Sequence, residues 1–511
     1  MPMTKFLHVG CLLLLVAATS LLGTEKAKPV TPKASVEAKA LLDLFTRISG
    51  HYTLSGQHNY PNTRDRNSQF AAKYIGKTPA VWSTDMGFAQ DGDTDSYLAR
   101  PDIVEEAKRQ HQLGSIITIC WHAVPPTADE PVTFRAQPGA SPDSLASVQG
   151  KLLDQQFQDL LTPGTKLHQK WCAQVDSVAF YLRKLQQARV PILWRPYHEM
   201  NGDWFWWGGR LGPYNTRALY RQIFDRLVNH HKLNNLIWVW SVDRPNKPEM
   251  NFSHYYPGDD YLDILALDVY GSDFNPTYYD SLLALANGKP LVLGEVGNPP
   301  TPGILASQPQ WSYWVTWAGM VRNTSKSQYT ALKNDPRLLF KEDQIFSRLI
   351  APFRSACGLT PFTLPVKTSD KMKPNFNGMW IFNEEASELD NMGAGALPYK
   401  LQVTQSENDL MMSKSFIVEW GDDRITEESV KLDGSETKSE FMNNPRIMTA
   451  NWSDNGDTLT IFSQTTFNRG GRSMEMKVSE KWNVKGPLLV IRQNSTTFRG
   501  ERQITLRFDK E

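Results

Sequence analysis

Two glutamates stand where apolar strand-like runs break into polar residues. Glu199 follows Ile192-Leu193-Trp194-Arg195-Pro196-Tyr197-His198, and Glu295 follows Leu291-Val292-Leu293-Gly294. Cleaving a glycosidic bond takes two carboxyl groups, one to protonate the leaving oxygen and one to attack the anomeric carbon or activate water. After Glu199 the chain reads Met200-Asn201-Gly202-Asp203-Trp204-Phe205-Trp206-Trp207-Gly208-Gly209, so four of the 16 Trp fall within residues 191–209. Three of those Trp come after a Gly-Asp turn, where side chains meet solvent, and aromatic faces there suit a flat, apolar-faced ligand such as a sugar ring.

The elements that must position these residues repeat one rhythm, a short apolar run ending in polar residues and then a helical stretch. The runs are 51–55, 79–82, 115–121, 192–194, 236–240, 264–269, 291–293 and 312–316. Helical spacing marks 35–48, 103–113, 171–187, 216–230, 278–286 and 342–353. Eight strands alternating with helices predict a parallel (β/α)8 TIM barrel, with the polar run ends gathered at its C-terminal rim. Glu199 ends the fourth run and Glu295 the seventh, so the pair can flank one sugar bond. Residues 123–170 form a long connection suited to walling the cleft.

Past residue 360 the texture changes to short alternating segments with turn signals such as Asp454-Asn455-Gly456. This predicts a C-terminal antiparallel all-β domain, barrel or sandwich. Gly378-Met379-Trp380 at its start resembles the Gly-x-Trp opening of lipocalin-like barrels. The expected division is a signal peptide at 1–23, a solvated linker at 24–36, the barrel at 37–358, a linker at 359–376 and the β domain at 377–511.

The signal reading rests on Lys5, the short apolar core Cys11 to Ala18 and a small-residue exit, and it predicts a secreted or periplasmic protein with no membrane span. Beyond the signal stand Cys120, Cys172 and Cys357, which allow at most one internal disulfide. With 55 basic against 54 acidic residues there is no global case for nucleic acid or an anionic membrane, and the expected partner is neutral. No His/Cys cluster has zinc-ligand spacing and no Gly-rich phosphate loop is present, so no metal or cofactor is expected.

The motif Arg195 to Gly202 followed by Trp204-Phe205-Trp206-Trp207-Gly208 resembles the acid/base motif of the glycoside hydrolase family 26 β-mannanases. Trp121-His122, Tyr256 to Tyr261, Leu267-Asp268-Val269-Tyr270 and Gly294-Glu295 follow the family order over roughly residues 40–350. Gly56-Gln57-His58 departs from the family's Gly-His-Gln. The resemblance implies a retaining endo-β-1,4-mannanase with Glu199 as acid/base and Glu295 as nucleophile. It further implies His198 in the glycone site, Tyr270 donating to Glu295, Trp121 and His122 on the sugar before the scissile bond, and Trp204 and Trp317 stacked on sugar faces. The alternatives are a β-1,3-xylanase, a mixed-linkage β-glucanase, an exo-acting mannobiose-releasing enzyme, or a non-catalytic carbohydrate-binding protein.

Overall fold

The computed structural model describes residues 28–87, 99–360, 374–390, 392–418, 421–453, 458–469, 472–497 and 500–511. The expected signal peptide and most of the expected 359–376 linker lie outside them.

Eight parallel strands close on themselves: β1 (Gly56–His58), β2 (Val81–Asp85), β3 (Ile116–Trp121), β4 (Ile192–Pro196), β5 (Leu236–Asp243), β6 (Ile264–Val269), β7 (Leu291–Val296) and β8 (Trp311–Thr316). Thr316 of β8 faces both Gln57 of β1 and Val296 of β7, which completes the ring. The first run differs from expectation. Thr53–Leu54 pairs with Leu338–Leu339 outside the ring, and the barrel strand proper begins at Gly56. Gly56 is required there, because a Cβ would sit 2.3 Å from the Trp314 carbonyl oxygen.

Residues one apart on these strands serve different layers. Ile116, Leu193, Ile237, Val239 and Val292 fill the barrel interior together with helix α1 (Val36–Ile48), which covers its floor through Leu41, Leu44 and Phe45. Ile117, Ile119, Trp121, Trp194 and Trp238 point outward against the helical ring. The Ser35 hydroxyl caps α1 by accepting from the Ala38 N–H. Residues 28–35, expected within a solvated linker, are instead tied to the barrel floor. Val30 N–H donates to Asp263 Oδ1 at 2.7 Å, Thr31 is buried, and Ser35 N–H donates to the Asn234 carbonyl. Asp263 also accepts from the Trp238 N–H, so this carboxylate is a strand-edge anchor.

The C-terminal domain is one ten-stranded antiparallel sheet: β9 (Gly378–Phe382), β10 (Lys400–Gln405), β11 (Asp409–Phe416), β12 (Arg424–Lys431), β13 (Thr437–Phe441), β14 (Asn444–Trp452), β15 (Leu459–Arg469), β16 (Arg472–Lys485), β17 (Leu488–Thr497) and β18 (Gly500–Lys510). The spatial order runs from β12 to β13 by way of β9 and β18, so the two end strands are neighbours in sequence. Side chains bridge this seam: the Thr437 hydroxyl accepts from Lys431 N–H, and Arg446 of β14 pairs with Glu428 of β12 at 2.8 Å. The sheet thus curls around a single core of Trp380, Trp482, Leu459 and Phe508. A barrel-like closure explains this better than two packed sheets. The domain docks on helix α2 (Arg66–Ile75). There the buried Arg66 pairs with Asp423 at 2.6 Å, Tyr399 donates to the same carboxylate, and Lys73 pairs with Asp509.

Candidate active site

At the C-terminal end of β4 the chain makes two left-handed steps, Tyr197 at φ 51° and Glu199 at φ 49°. Bulky residues seldom adopt this region, and the strain is sustained by the packing around it. Tyr197 is buried, with its hydroxyl accepting from Trp171 Nε1, while His198 and Glu199 turn toward the cleft. Asn201 pins the loop to the end of β5 by donating to the Asp243 carbonyl and accepting from the Asp243 N–H, both at 2.7 Å. Gly208 closes the Trp-rich turn, where a Cβ would meet the Gly202 carbonyl at 2.2 Å.

Asp268 on β6 and Glu295 on β7 are register partners, so two carboxylates lie side by side. Arg195, from β4, answers them. Its Nη1 donates to Asp268 Oδ2 at 2.9 Å and its Nη2 to Glu295 Oε1 at 2.5 Å, with all three groups buried. Tyr270 donates to Glu295 Oε2 at 2.5 Å. Both oxygens of Glu295 are therefore held by donors, which fixes the carboxylate in place. One oxygen each of Glu199, Asp268 and Glu295 lies within 4.8 Å of the others.

Glu199 has a different environment. Trp204 Nε1 donates to its Oε2 at 2.7 Å, and no cation contacts it among the described residues. Burial, followed by the negative charges of Glu295, Asp268 and Asp243, pushes its carboxyl well above the usual carboxylate range. The two glutamates are thereby differentiated, Glu295 gripped by donors at both oxygens and Glu199 disposed to carry a proton.

Around them sit three buried histidines. His122 Nδ1 lies 2.5 Å from Asp85 Oδ2, and Asp85 also accepts from the Gly87 N–H and the Cys120 thiol. The His122 and His198 rings meet edge to face at 4.3 Å, and His198 Nε2 is 3.6 Å from Glu295 Oε1. Burial and then the neighbouring His122 and Arg195 depress His198 well below the ordinary histidine value. Burial likewise outweighs the opposing Asp85 charge at His58, pushing it down to about 3. His58 and His198 are accordingly neutral hydrogen-bonding groups at neutral pH.

The sequence-predicted residues divide. Glu199, Glu295, His122, His198, Trp204 and Tyr270 come together at the rim. Trp121 does not: it is 2% exposed and points outward against Trp194 and Tyr197, one strand position out of phase with His122. Trp317 reaches the rim, but it is 5% exposed and its ring lies against His58 at 3.8 Å, so it offers no open platform there. Trp206 and Trp207 are wholly buried and fix the loop by donating to the carbonyls of Ala123 and His198. Trp204 is partly exposed, with one part of its ring over Gly202. Residues 123–153 wall the cleft, as Gly150 N–H donates to the Trp204 carbonyl and Phe134 packs on His122. Asp85 stands at a polar run end and Arg195 opens the family motif, but the sequence assigns neither a role. Their signal was strand parity, which points both into the barrel.

The family model for glycosyl hydrolase family 26 matches residues 30–343. The chain belongs to this family. Among curated relatives, a mannan endo-1,4-β-mannosidase of Thermothelomyces thermophilus is 33% identical over 304 residues, covering 58% of this chain and 58% of the relative. One from Bacillus subtilis is 27% identical over 343 residues, 60% of this chain and 87% of the relative. The first three curated relatives are matched over 58%, 49% and 45% of their own lengths. Among solved structures, GH26A of a Muricauda species is 41% identical, with a TM-score of 0.56, over 61% of this chain and 98% of that one. The family 26 match ends before β9, so it concerns the barrel alone.

Proposed function

We propose that this family 26 chain is a retaining endo-β-1,4-mannanase, with Glu199 as acid/base and Glu295 as nucleophile. The observation that carries the reading is the approach of Glu199 and Glu295 oxygens to within 4.8 Å, with both oxygens of Glu295 held by Arg195 and Tyr270 and Glu199 held, among the described residues, only by the neutral Trp204 N–H. Retaining enzymes hold their carboxyl groups about 5 to 5.5 Å apart, whereas inverting enzymes leave room for a water between them. Glu295 attacks the anomeric carbon while Glu199 gives its proton to the glycosidic oxygen, and the leaving chain departs as an alcohol. Glu199, now a carboxylate, takes a proton from water. The resulting hydroxyl displaces Glu295 with a second inversion, which restores both carboxyl groups. Tyr270 and Arg195 position Glu295, His122 and His198 bind the sugar before the scissile bond, and Trp204 supports the sugar beyond it while holding Glu199.

Mannan as the substrate rests on the relatives named mannan endo-1,4-β-mannosidase. Secretion is proposed from the leader-like residues 1–23. No helix among the described residues is long and apolar enough to cross a membrane. The test is reducing-sugar release from mannan, glucomannan, xylan and mixed-linkage β-glucan side by side, with product lengths. Mannan and glucomannan are expected to give mixed oligosaccharides from the first time points. Release from xylan or β-glucan alone overturns the substrate, and mannobiose as sole product overturns endo action.

A further inference from the structure

The outer face of the β domain carries a groove of about 480 Å³ across β15, β16 and β17. On these strands Leu459, Ile461, Trp482, Leu489 and Ile491 point into the domain core, so Thr460, Lys481, Asn483 and Arg492 point out. The register sets Lys481 directly opposite Arg492, with Thr460 on the other side of Lys481. Like charges opposed across an antiparallel pair repel. Lys485, two outward positions further along β16, lines the same groove. None of the three cations forms an ion pair among the described residues, although the domain as a whole carries more acidic than basic residues. Two cations elsewhere in the same sheet, Lys414 and Arg446, by contrast share Glu428.

We infer that this groove binds an acidic polysaccharide, its carboxylate or sulfate groups taken by Lys481, Lys485 and Arg492. An anion placed between Lys481 and Arg492 removes their mutual repulsion and gains charge-assisted hydrogen bonds. The remaining lining suits a sugar: the Thr460 hydroxyl matches a ring hydroxyl, and the buried Val490 gives an apolar floor. No aromatic ring is among the lining residues, which disfavours the base stacking that single-stranded nucleic acid uses. The site therefore recruits the enzyme to an acidic glycan lying beside its neutral substrate, a binding function separate from hydrolysis.

The test is affinity electrophoresis of the full chain through gels containing polygalacturonate, dextran sulfate or no polymer, which separates a carboxylate from a sulfate ligand. Retardation is expected in at least one acidic gel, weakening with salt. In the Lys481→Gln/Arg492→Gln double variant the affinity is expected to fall about tenfold. That variant should keep full hydrolysis of soluble mannan, and its melting temperature should be unchanged or higher because the repulsion is gone. The inference is overturned by no retardation in either acidic gel, by equal retardation of the double variant, or by equal affinity for single-stranded DNA. Binding is read without turnover, so its failure is distinct from failure of the mannanase reading.

Discussion

Tyr270 donates its phenolic hydrogen to Glu295 Oε2 at 2.5 Å, while Arg195 holds the other oxygen from the opposite side. A carboxylate gripped at both oxygens is aimed, and in the proposed mechanism loosening one grip should cost rate more than binding. Tyr270→Phe is expected to lower kcat on mannan by about 10²-fold with KM changed far less. Steady-state kinetics checks this; a rise in KM with kcat intact would make Tyr270 a substrate-binding group only.

The raised affinity of Glu199 for its proton fixes the pH profile. In the proposed mechanism Glu199 must be protonated to act as an acid, so activity is expected to be lost on the alkaline side as it deprotonates. Asp243 adds to the charges that hold that proton, after burial, Glu295 and Asp268. Removing its charge makes deprotonation easier, and Asp243→Asn is expected to move the alkaline limb of kcat/KM to lower pH. A limb that stays put or moves upward separates it from Glu199.

Gly294 is where the barrel admits two adjacent carboxylates. A Cβ there would lie 2.6 Å from Asp268 Oδ1 and 3.3 Å from the Arg195 side chain. Gly294→Ala is therefore expected to force Asp268 and Arg195 apart, lowering kcat by at least about tenfold and destabilising the fold by about 1–3 kcal/mol. Activity assays and urea unfolding read the two effects; a neutral result in both would mean the wall yields.

Lys341 is 6% exposed, near Ile381 and Glu511 of the β domain, and burial lowers its amino group to about 8, against the partly opposing charges of Glu342 and Asp65. The unfolded chain binds this proton more tightly between about pH 8 and 10.5, so stability rises as pH rises through that window. Below it the folded protein bears a buried charge, at a cost of about 3 kcal/mol. Lys341→Met is expected to raise the urea midpoint at pH 7 and to gain little at pH 10.5. Equal gains at both pH values would assign the effect to packing.

Much of this architecture is legible in the sequence because the barrel repeats one unit and each strand announces itself by its apolar run. Glu199 and Glu295 stand at strand ends in a recognisable order. Trp121 was misplaced because one residue of strand phase decides between cleft and helical ring, and Trp121-His122 read as a pair hides that alternation. Arg195 reads as part of a motif, and only the register of Asp268 with Glu295 reveals the cation it must supply. The tether of residues 28–35 depends on Asp263, 233 positions along the chain from Val30, where no local pattern reaches. The β seam is held by Glu428 and Arg446 side chains, so no strand periodicity betrays the closure.

The pairing of Glu199 with Glu295 is tested most directly by Glu295→Ala assayed on an aryl β-mannoside, without and with azide. The variant should lose nearly all turnover, and azide, entering the space left by the carboxylate, should restore it and give the α-glycosyl azide. No rescue, or a β-configured azide, would contradict Glu295 as the nucleophile.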